Sequence, residues 1–592
     1  MGVLAATDRA RIERLLSVAR ATRPMPAPDG SLHFASNRGG HAQVYRQTAA
    51  GVEPELVFAS KTRMVPHAHT PLGLLVREDR GGNEIWQLGL VSDGQHRPLT
   101  TDARAIHQSV TLHPDKRRVG LGWNPGGQAD VVLGELDLAT GEMTRWAEPR
   151  GFWLWGAWSP DGKRAVVSKS MGTPTESYVL ERDGRLTRLL PSALRVHPVE
   201  WLAEGILVAT DVDRDFLGLG LIDPEQPESV SRWLLSEEHD VEGTAVNPDR
   251  KRLAVVVNEG IYDSVRVVDL EREIDRAVLP PGVVIADHSG DPGYHVAWSQ
   301  DGESLFVSWE LATRPAEIYQ WPGATRWTFT GDLPAGLVEP EETSYTSFDG
   351  LTVPSIFYKV DDAPRPAVVY FHGGPEGQSR GGYLPAAQLL TSIGINVMLP
   401  NVRGSTGYGI RYQSLDDRTL RWNSVKDGCE AARTLKSSSL ATRTAAIGGS
   451  YGGFMTLAAI TFCADRKWAA AVDIVGIASF VTFFARTAQW RRPLRAAEYG
   501  DPEKDADFLE SISPLNFIDR IEAPLMVIHG ANDPRVPVQE AEQIVSTLRS
   551  RGRDVEYLRY EDEGHGLAKA KNRADAWPKV VRFFQKHMPP AV

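Results

Sequence analysis

The sequence predicts two domains in tandem, a seven-bladed β-propeller followed by a doubly wound, mostly parallel α/β sheet. Three observations carry this prediction. A turn-and-strand repeat recurs seven times in the first half of the chain. The repeat stops near residue 335. Beyond it, continuous apolar runs alternate with helix-length segments. A length of 592 residues exceeds the roughly 100–200 of one ordinary domain, so two domains fit.

The first element is a helix within residues 1–22. Thr7 or Asp8 caps it, and Ile12, Leu15, Leu16 and Ala19 share one face. It lacks the long apolar core of a signal peptide.

The propeller is expected over 23–335. Its repeat is a Pro-Asp-Gly-like turn followed by an apolar strand. It occurs at Asp29, Asp115, Asp161, Asp249 and Asp301, and with degraded turns at Leu72 and Glu204. The spacing is about 43–52 residues, the length of a four-stranded blade. Asp-Gly supplies the positive φ that a tight hairpin needs. Each turn is followed by a second segment of alternating character, such as QVYRQ, EIWQLGLV and SVRVVDL. Alternation between turn residues means short antiparallel strands. One blade cannot bury both faces, so seven pack around a channel.

The second domain is expected over 336–592, after a linker GLVEPEETSYTS. Its strands are read at 366–374, 395–404, 445–453, 470–476, 524–533 and 555–566. Near-continuous apolar runs separated by helices are the pattern of a parallel sheet covered on both faces.

Composition bounds the function. Hydrophobic residues make up 42%, charged residues 24%, and the net charge is -11. A disordered, collagen-like or coiled-coil chain is excluded. The acidic balance gives no general attraction to nucleic acid or anionic membrane. No apolar stretch approaches the roughly 18 residues of a membrane span. The two cysteines, Cys429 and Cys463, cannot build a disulfide framework. They fit a reducing compartment, and a cytoplasmic protein is expected.

The chemistry lies at three strand ends. Gly448-Gly449-Ser450-Tyr451-Gly452 is a G-x-S-x-G sequence between an apolar strand and a helical run. Such a turn exposes a strained serine at a helix N-terminus, which favours developing negative charge. Asp533 follows the strand PLMVI, and His565 follows VEYLRY. The order Ser, Asp, His is that of the α/β-hydrolase arrangement. Serine needs histidine to take its proton, and histidine needs a carboxylate to fix its tautomer. Asp562 and Glu563 are rival acids beside His565, but a carboxylate from a separate strand end is preferred. Two oxyanion donors are expected: the Tyr451 N–H and an N–H from His372-Gly373-Gly374-Pro375, with Gly374 favoured over Gly373.

A seven-bladed propeller before HGGP, NVRGSTGYG, GGSYGG, GANDPRVP and EGHG resembles the prolyl oligopeptidase family of serine peptidases. Its bacterial acylaminoacyl-peptidase-like branch is the nearest in pattern. The resemblance spans nearly the whole chain. It implies Ser450 as nucleophile, Asp533 as acid and His565 as base. It also implies that the propeller restricts entry, so that short peptides are cut. SSSLATRTAAI departs from the acidic, Pro-containing segment common before the nucleophile in relatives. Homo-oligomers are common in that family.

After the strand AAVDIVG, Phe480, Phe483 and Phe484 share one helix face. In similar peptidases this position lines an apolar pocket, which Val536 and Tyr451 would complete. Core packing is the equal alternative. Arg486, Arg491, Arg492 and Arg495 lie in the same insertion. They suit a terminal carboxylate, which would make a carboxypeptidase. The alternative is pairing with Glu498, Asp501 and the propeller rim. Arg535 would hold a substrate carbonyl. Glu237-Glu238 is the conspicuous acid pair of the propeller and reads as solvated. The leading expectation is a serine exopeptidase of acylaminoacyl- or dipeptidyl-peptidase type. An esterase and a non-catalytic propeller binding protein are the alternatives. No metal cluster or phosphate loop is apparent, and no cofactor is called for.

Overall fold

Asp29, Asp115, Asp161, Asp249 and Asp301 each accept the backbone N–H two residues further on, at 2.8–3.1 Å. This one local bond builds the same turn five times, between the first and second strands of a blade. The following residue has positive φ whether it is Gly30, Gly162 and Gly302 or Lys116 and Arg250. The two degraded repeats use shorter turns, Thr70 to Gly73 and Leu202 to Gly205. The computed structural model describes residues 6–170, 172–271, 275–285 and 295–589.

The result is seven antiparallel sheets over 21–56, 63–98, 107–147, 153–189, 196–235, 240–277 and 284–326. Each is made of strands consecutive in the chain. The turns also tie one blade to the next. Asn247 Nδ2 donates to Gly302 O at 2.8 Å, and Trp298 Nε1 to Ala245 O at 3.0 Å. The ring closes where Ala21, Leu32, Phe34 and Tyr45 of the first blade share a core with Phe306, Ile318 and Trp327 of the last. Ser308 Oγ donates to Ala21 O across that junction, at 2.8 Å.

The N-terminal helix runs Ala6–Ser17. It is shorter than the 1–22 segment, and the first propeller strand already begins at Ala21. Ile12, Leu15 and Leu16 are buried as expected, against Leu389 and Val581 of the second domain. The side chains of Thr7 and Asp8 lie outside the described residues, as does Met1-Gly2.

The second domain is one eight-stranded sheet. The order is Glu341–Thr346, Thr352–Tyr358, Asn396–Pro400, Arg365–Phe371, Ala441–Gly449, Ala471–Ile474, Leu525–Gly530 and Val555–Tyr560. The six strands read from the sequence are the parallel ones. The two antiparallel strands at one end of the sheet were not read, and the outermost occupies the segment expected to be a linker. Its single inward residue is Tyr345, so its apolar signal is too weak to mark a strand. Arg365–Phe371 is flanked by the strands before and after the reversal of strand order, which opens the crevice where open α/β sheets place their sites.

The cysteine reading needs correction. Cys429, in helix Arg421–Ser437, and Cys463, at the end of helix Tyr451–Phe462, form a disulfide. The sequence reading took two cysteines as too few for a disulfide framework and did not pair them.

Candidate active site

Strand Ala441–Gly449 delivers Ser450 to the start of helix Tyr451–Phe462 with φ 60 and ψ -120. A non-glycine residue there is strained, and strain of this kind clusters at functional sites. The turn is crowded. A Cβ on Gly452 would lie 2.1 Å from Phe371 O, and one on Gly448 would lie 2.3 Å from Gly452 O. Only glycines allow this approach between the turn and the neighbouring strand.

Asp533 and His565 come from the loops after the last two strands, Leu525–Gly530 and Val555–Tyr560. His565 Nδ1 donates to Asp533 Oδ2 at 2.7 Å. Asp533 Oδ1 accepts the N–H groups of Arg535 at 2.8 Å and Val536 at 3.0 Å. Burial alone would raise the Asp533 carboxyl. The adjoining His565, with His529 and the backbone donors, brings it below its usual value instead. Asp533 is therefore ionised and fixes the His565 tautomer, leaving Nε2 as the nitrogen for a nucleophile's proton. The rival acids are engaged elsewhere. Asp562 pairs with Lys569 and Lys571, and Glu563 accepts from Ala568 N, Lys569 N and Asn572 Nδ2.

The loop His372–Pro375 lies beside the serine. A Cβ on Gly373 would be 3.5 Å from Ser450 Cβ, and Gly374 has φ 137. His372 is hydrogen-bonded to Ser405 Oγ at 2.9 Å, which ties HGGP to the NVRGSTGYG segment. Burial holds the His372 ring below its ordinary pKa and so neutral.

Phe480, Phe483 and Phe484 are buried in one apolar cluster with Tyr451, Tyr499 and Val536. Phe480 packs at 4.8 Å on Tyr499 and 4.9 Å on Phe454. Their rings form the packed base of this region.

The arginines separate. Arg491 is 8% exposed and pairs with Glu84 of the propeller at 2.5 Å. Arg535 meets the same carboxylate at 2.7 Å. Arg495 is half-buried and electrostatically coupled to Arg491 and Tyr499. Arg492 donates to Ala485 O at 2.8 Å, and Arg486 is exposed. Of the expected partners, the propeller is found, through Glu84; Glu498 is instead taken by Arg421, and Asp501 turns its carboxylate to the backbone of Glu503 and Lys504. Glu237 pairs with Arg266 inside the propeller at 2.5 Å.

Glu84 went unread in the sequence. It ends the Arg80-Gly81-Gly82-Asn83 loop between two blade strands, with φ 58. That loop touches the histidine loop directly: a Cβ on Gly564 would lie 2.1 Å from Gly82 O. The paired glycines interrupting a strand pattern were the available signal. A second unread group sits behind the serine. Asp416, Asp417 and Glu498 bring carboxylate oxygens within 4.8 Å of one another. The buried Arg421 guanidinium binds Asp416 and Glu498. The group joins residues 416–421 to Glu498, about 80 residues apart in the chain, so no spacing in the sequence announces it.

Three comparisons bear on this site. A family model described as "Prolyl oligopeptidase family" matches residues 377–590. Dipeptidyl aminopeptidase BIII of Pseudoxanthomonas mexicana is 36% identical over 558 residues, 85% of this chain and 77% of that protein. Dipeptidyl peptidase family member 6 of Caenorhabditis elegans is 35% identical over 232 residues, 38% of this chain. That match spans only 31% of the worm protein. Among solved structures, a puromycin-hydrolyzing peptidase of Mycobacterium tuberculosis superposes with a TM-score of 0.84 at 22% identity. It covers 98% of this chain and 96% of that one, so the two-domain architecture is shared.

Proposed function

The chain belongs to the prolyl oligopeptidase family of serine peptidases, and from that premise we propose that it releases residues from one end of short peptides through an acyl-enzyme. The observation that carries the reading is the 2.7 Å bond from His565 to Asp533, on the loops beside a strained Ser450. Ser450 Oγ attacks the scissile carbonyl carbon while His565 Nε2 takes its proton. Asp533 stabilises the imidazolium that results. The Tyr451 N–H and the Gly373–Gly374 loop receive the oxyanion. The C–N bond then breaks, and the departing amine takes the proton from His565. Water, deprotonated by the same histidine, attacks the acyl ester and frees Ser450.

Restriction to short peptides follows from the covering propeller. Trp490 stacks on Phe152 of the propeller at 5.3 Å, and Glu84 binds Arg491 and Arg535 beside the histidine loop. For the end attacked, the amino terminus is the first reading. It is supported by the likeness, across both domains, to a protein named as a dipeptidyl aminopeptidase. The carboxyl terminus is the second. Arg491, Arg535 and Arg495 gather on the Glu84 side of the cleft, where one carboxylate leaves an excess of positive charge. An esterase activity would accompany either, since an ester leaves more easily than an amide.

The test is mass spectrometry of an unblocked peptide, its amino-acetylated form and its carboxyl-amidated form, with Ser450→Ala as control. Loss from the amino end that survives amidation supports the first reading. Stepwise loss from the carboxyl end, abolished by amidation, supports the second. Hydrolysis retained by Ser450→Ala rejects both.

A further inference from the structure

Tyr451 supplies the oxyanion N–H in the proposed mechanism, and its own side chain leads away from the cleft. As the first residue of its helix, it has an N–H without an intrahelical partner, free for a ligand. The ring is 1% exposed and packs against both Arg421 and Tyr499. Its hydroxyl meets three groups: Arg421 Nη1 at 3.1 Å, Ser424 Oγ at 2.9 Å and Asp416 Oδ2 at 3.3 Å. Arg421 is itself 1% exposed. Its guanidinium lies over both tyrosine rings, at 5.1 Å from Tyr451 and 5.2 Å from Tyr499. Its two terminal nitrogens bind the Asp416 and Glu498 carboxylates, and Nη2 also reaches Glu498 O at 3.0 Å.

We infer that Arg421 is a positioning residue for the oxyanion site, acting through Tyr451. The inference rests on the serine-peptidase reading of Ser450 and deepens it.

A buried ion cluster is a poor source of stability, because apolar side chains of similar volume often do as well. Its well-attested use is to select one geometry. Here the planar fork of one guanidinium joins helix Arg421–Ser437, the Asp416 turn, the Glu498 helix and the residue after the nucleophile. A lysine ammonium has no such fork. The oxyanion site needs that geometry, since a donor stabilises the transition state only where the negative charge forms. The electrostatics agree. Burial works against the Arg421 charge, but Asp416 and Glu498 outweigh it and keep the guanidinium protonated. Burial raises the Asp416 and Glu498 carboxyls above their ordinary range, and Arg421 pulls them back down.

The experiment compares wild type, Arg421→Lys, Tyr451→Phe and Ser450→Ala on one peptide and one activated ester. It also measures affinity for a peptide boronate, which forms a tetrahedral oxyanion on the serine, and for the product peptide. Arg421→Lys is expected to lower kcat about 100-fold and Tyr451→Phe about tenfold, with KM within about twofold. Boronate affinity should fall with kcat, while product affinity stays constant. If kcat per folded molecule is unchanged, or KM and product affinity move instead, the positioning role is overturned. Should Arg421→Lys fail to fold, the nearly isosteric Tyr451→Phe decides alone. Fluorophosphonate labelling separates the two levels. If wild-type Ser450 is not labelled, the reading of Ser450 falls and takes this inference with it. If Ser450 is labelled and the variants behave as wild type, only the positioning role falls.

Discussion

Asp533 shows how several weak contacts set one protonation state. Two backbone N–H groups, His565 and the neighbouring His529 all act on a buried carboxylate. His529 is itself held neutral by burial, and its Nε2–H donates to Val536 O at 2.9 Å. It therefore braces the acid loop without competing for the catalytic proton. The serine and the acid differ in expected effect. Ser450→Ala removes turnover altogether. Asp533→Asn keeps the shape but offers His565 a donor in place of an acceptor, and kcat is expected to fall by about 10⁴-fold. Steady-state kinetics on an activated ester check both, with circular dichroism to confirm that the fold persists.

At the scale of elements, the site is held by close backbone approach and by one covalent tie. Helix Tyr451–Phe462 starts against strand Arg365–Phe371, where Gly452 leaves no room for a methyl group. Gly452→Ala is expected to cost about 1–3 kcal/mol of stability through overpacking. It should lower activity further by moving Tyr451; urea unfolding and kcat measure the two parts. The same helix is tied at its far end. Cys463 is joined to Cys429 across 34 residues of sequence. On the chain-entropy account, removing that bond with Cys429→Ser/Cys463→Ser costs about 3–4 kcal/mol. A lower urea midpoint in the double variant, reproduced by reductant in the wild type, is the expected result. Equal midpoints would reject a stabilising role.

At the scale of the molecule, the propeller is part of the site's wall. Glu84 crosses from blade to hydrolase and neutralises part of the charge of Arg491 and Arg535. Glu84→Ala leaves these guanidiniums facing each other at the domain interface. It is expected to loosen that interface and raise the longest peptide that is cut, read by digesting peptides of increasing length. The propeller also carries its own pH dependence. Burial lowers His67 to about 3, and His33, His107 and His197 to about 4. The folded propeller thus keeps these rings neutral while the unfolded chain protonates them below about 6.5. The stability they confer is complete above that pH and is lost progressively as pH falls toward 4. Urea midpoints at pH 7.5 and 5.0 should differ in that direction. The His197→Gln variant should show a smaller difference.

Local signals were legible because local chemistry made them. An Asp two residues before a free N–H closes five of the blade turns, and the apolar strands at regular spacing carried the count to seven. A serine between glycines, after an apolar strand and before a helix, marks its turn, and Asp533 and His565 follow strand ends of the same kind. The edge strand Glu341–Thr346 buries only Tyr345 and left no such mark. The disulfide was not read because two cysteines 34 residues apart meet only once two helices pack. Glu84 against Arg491, and Arg421 against Asp416, Glu498 and Tyr451, were likewise decided by the tertiary structure. Buried charges must find partners wherever the fold brings them. That pairing depends on distance in space, which spacing along the chain does not encode.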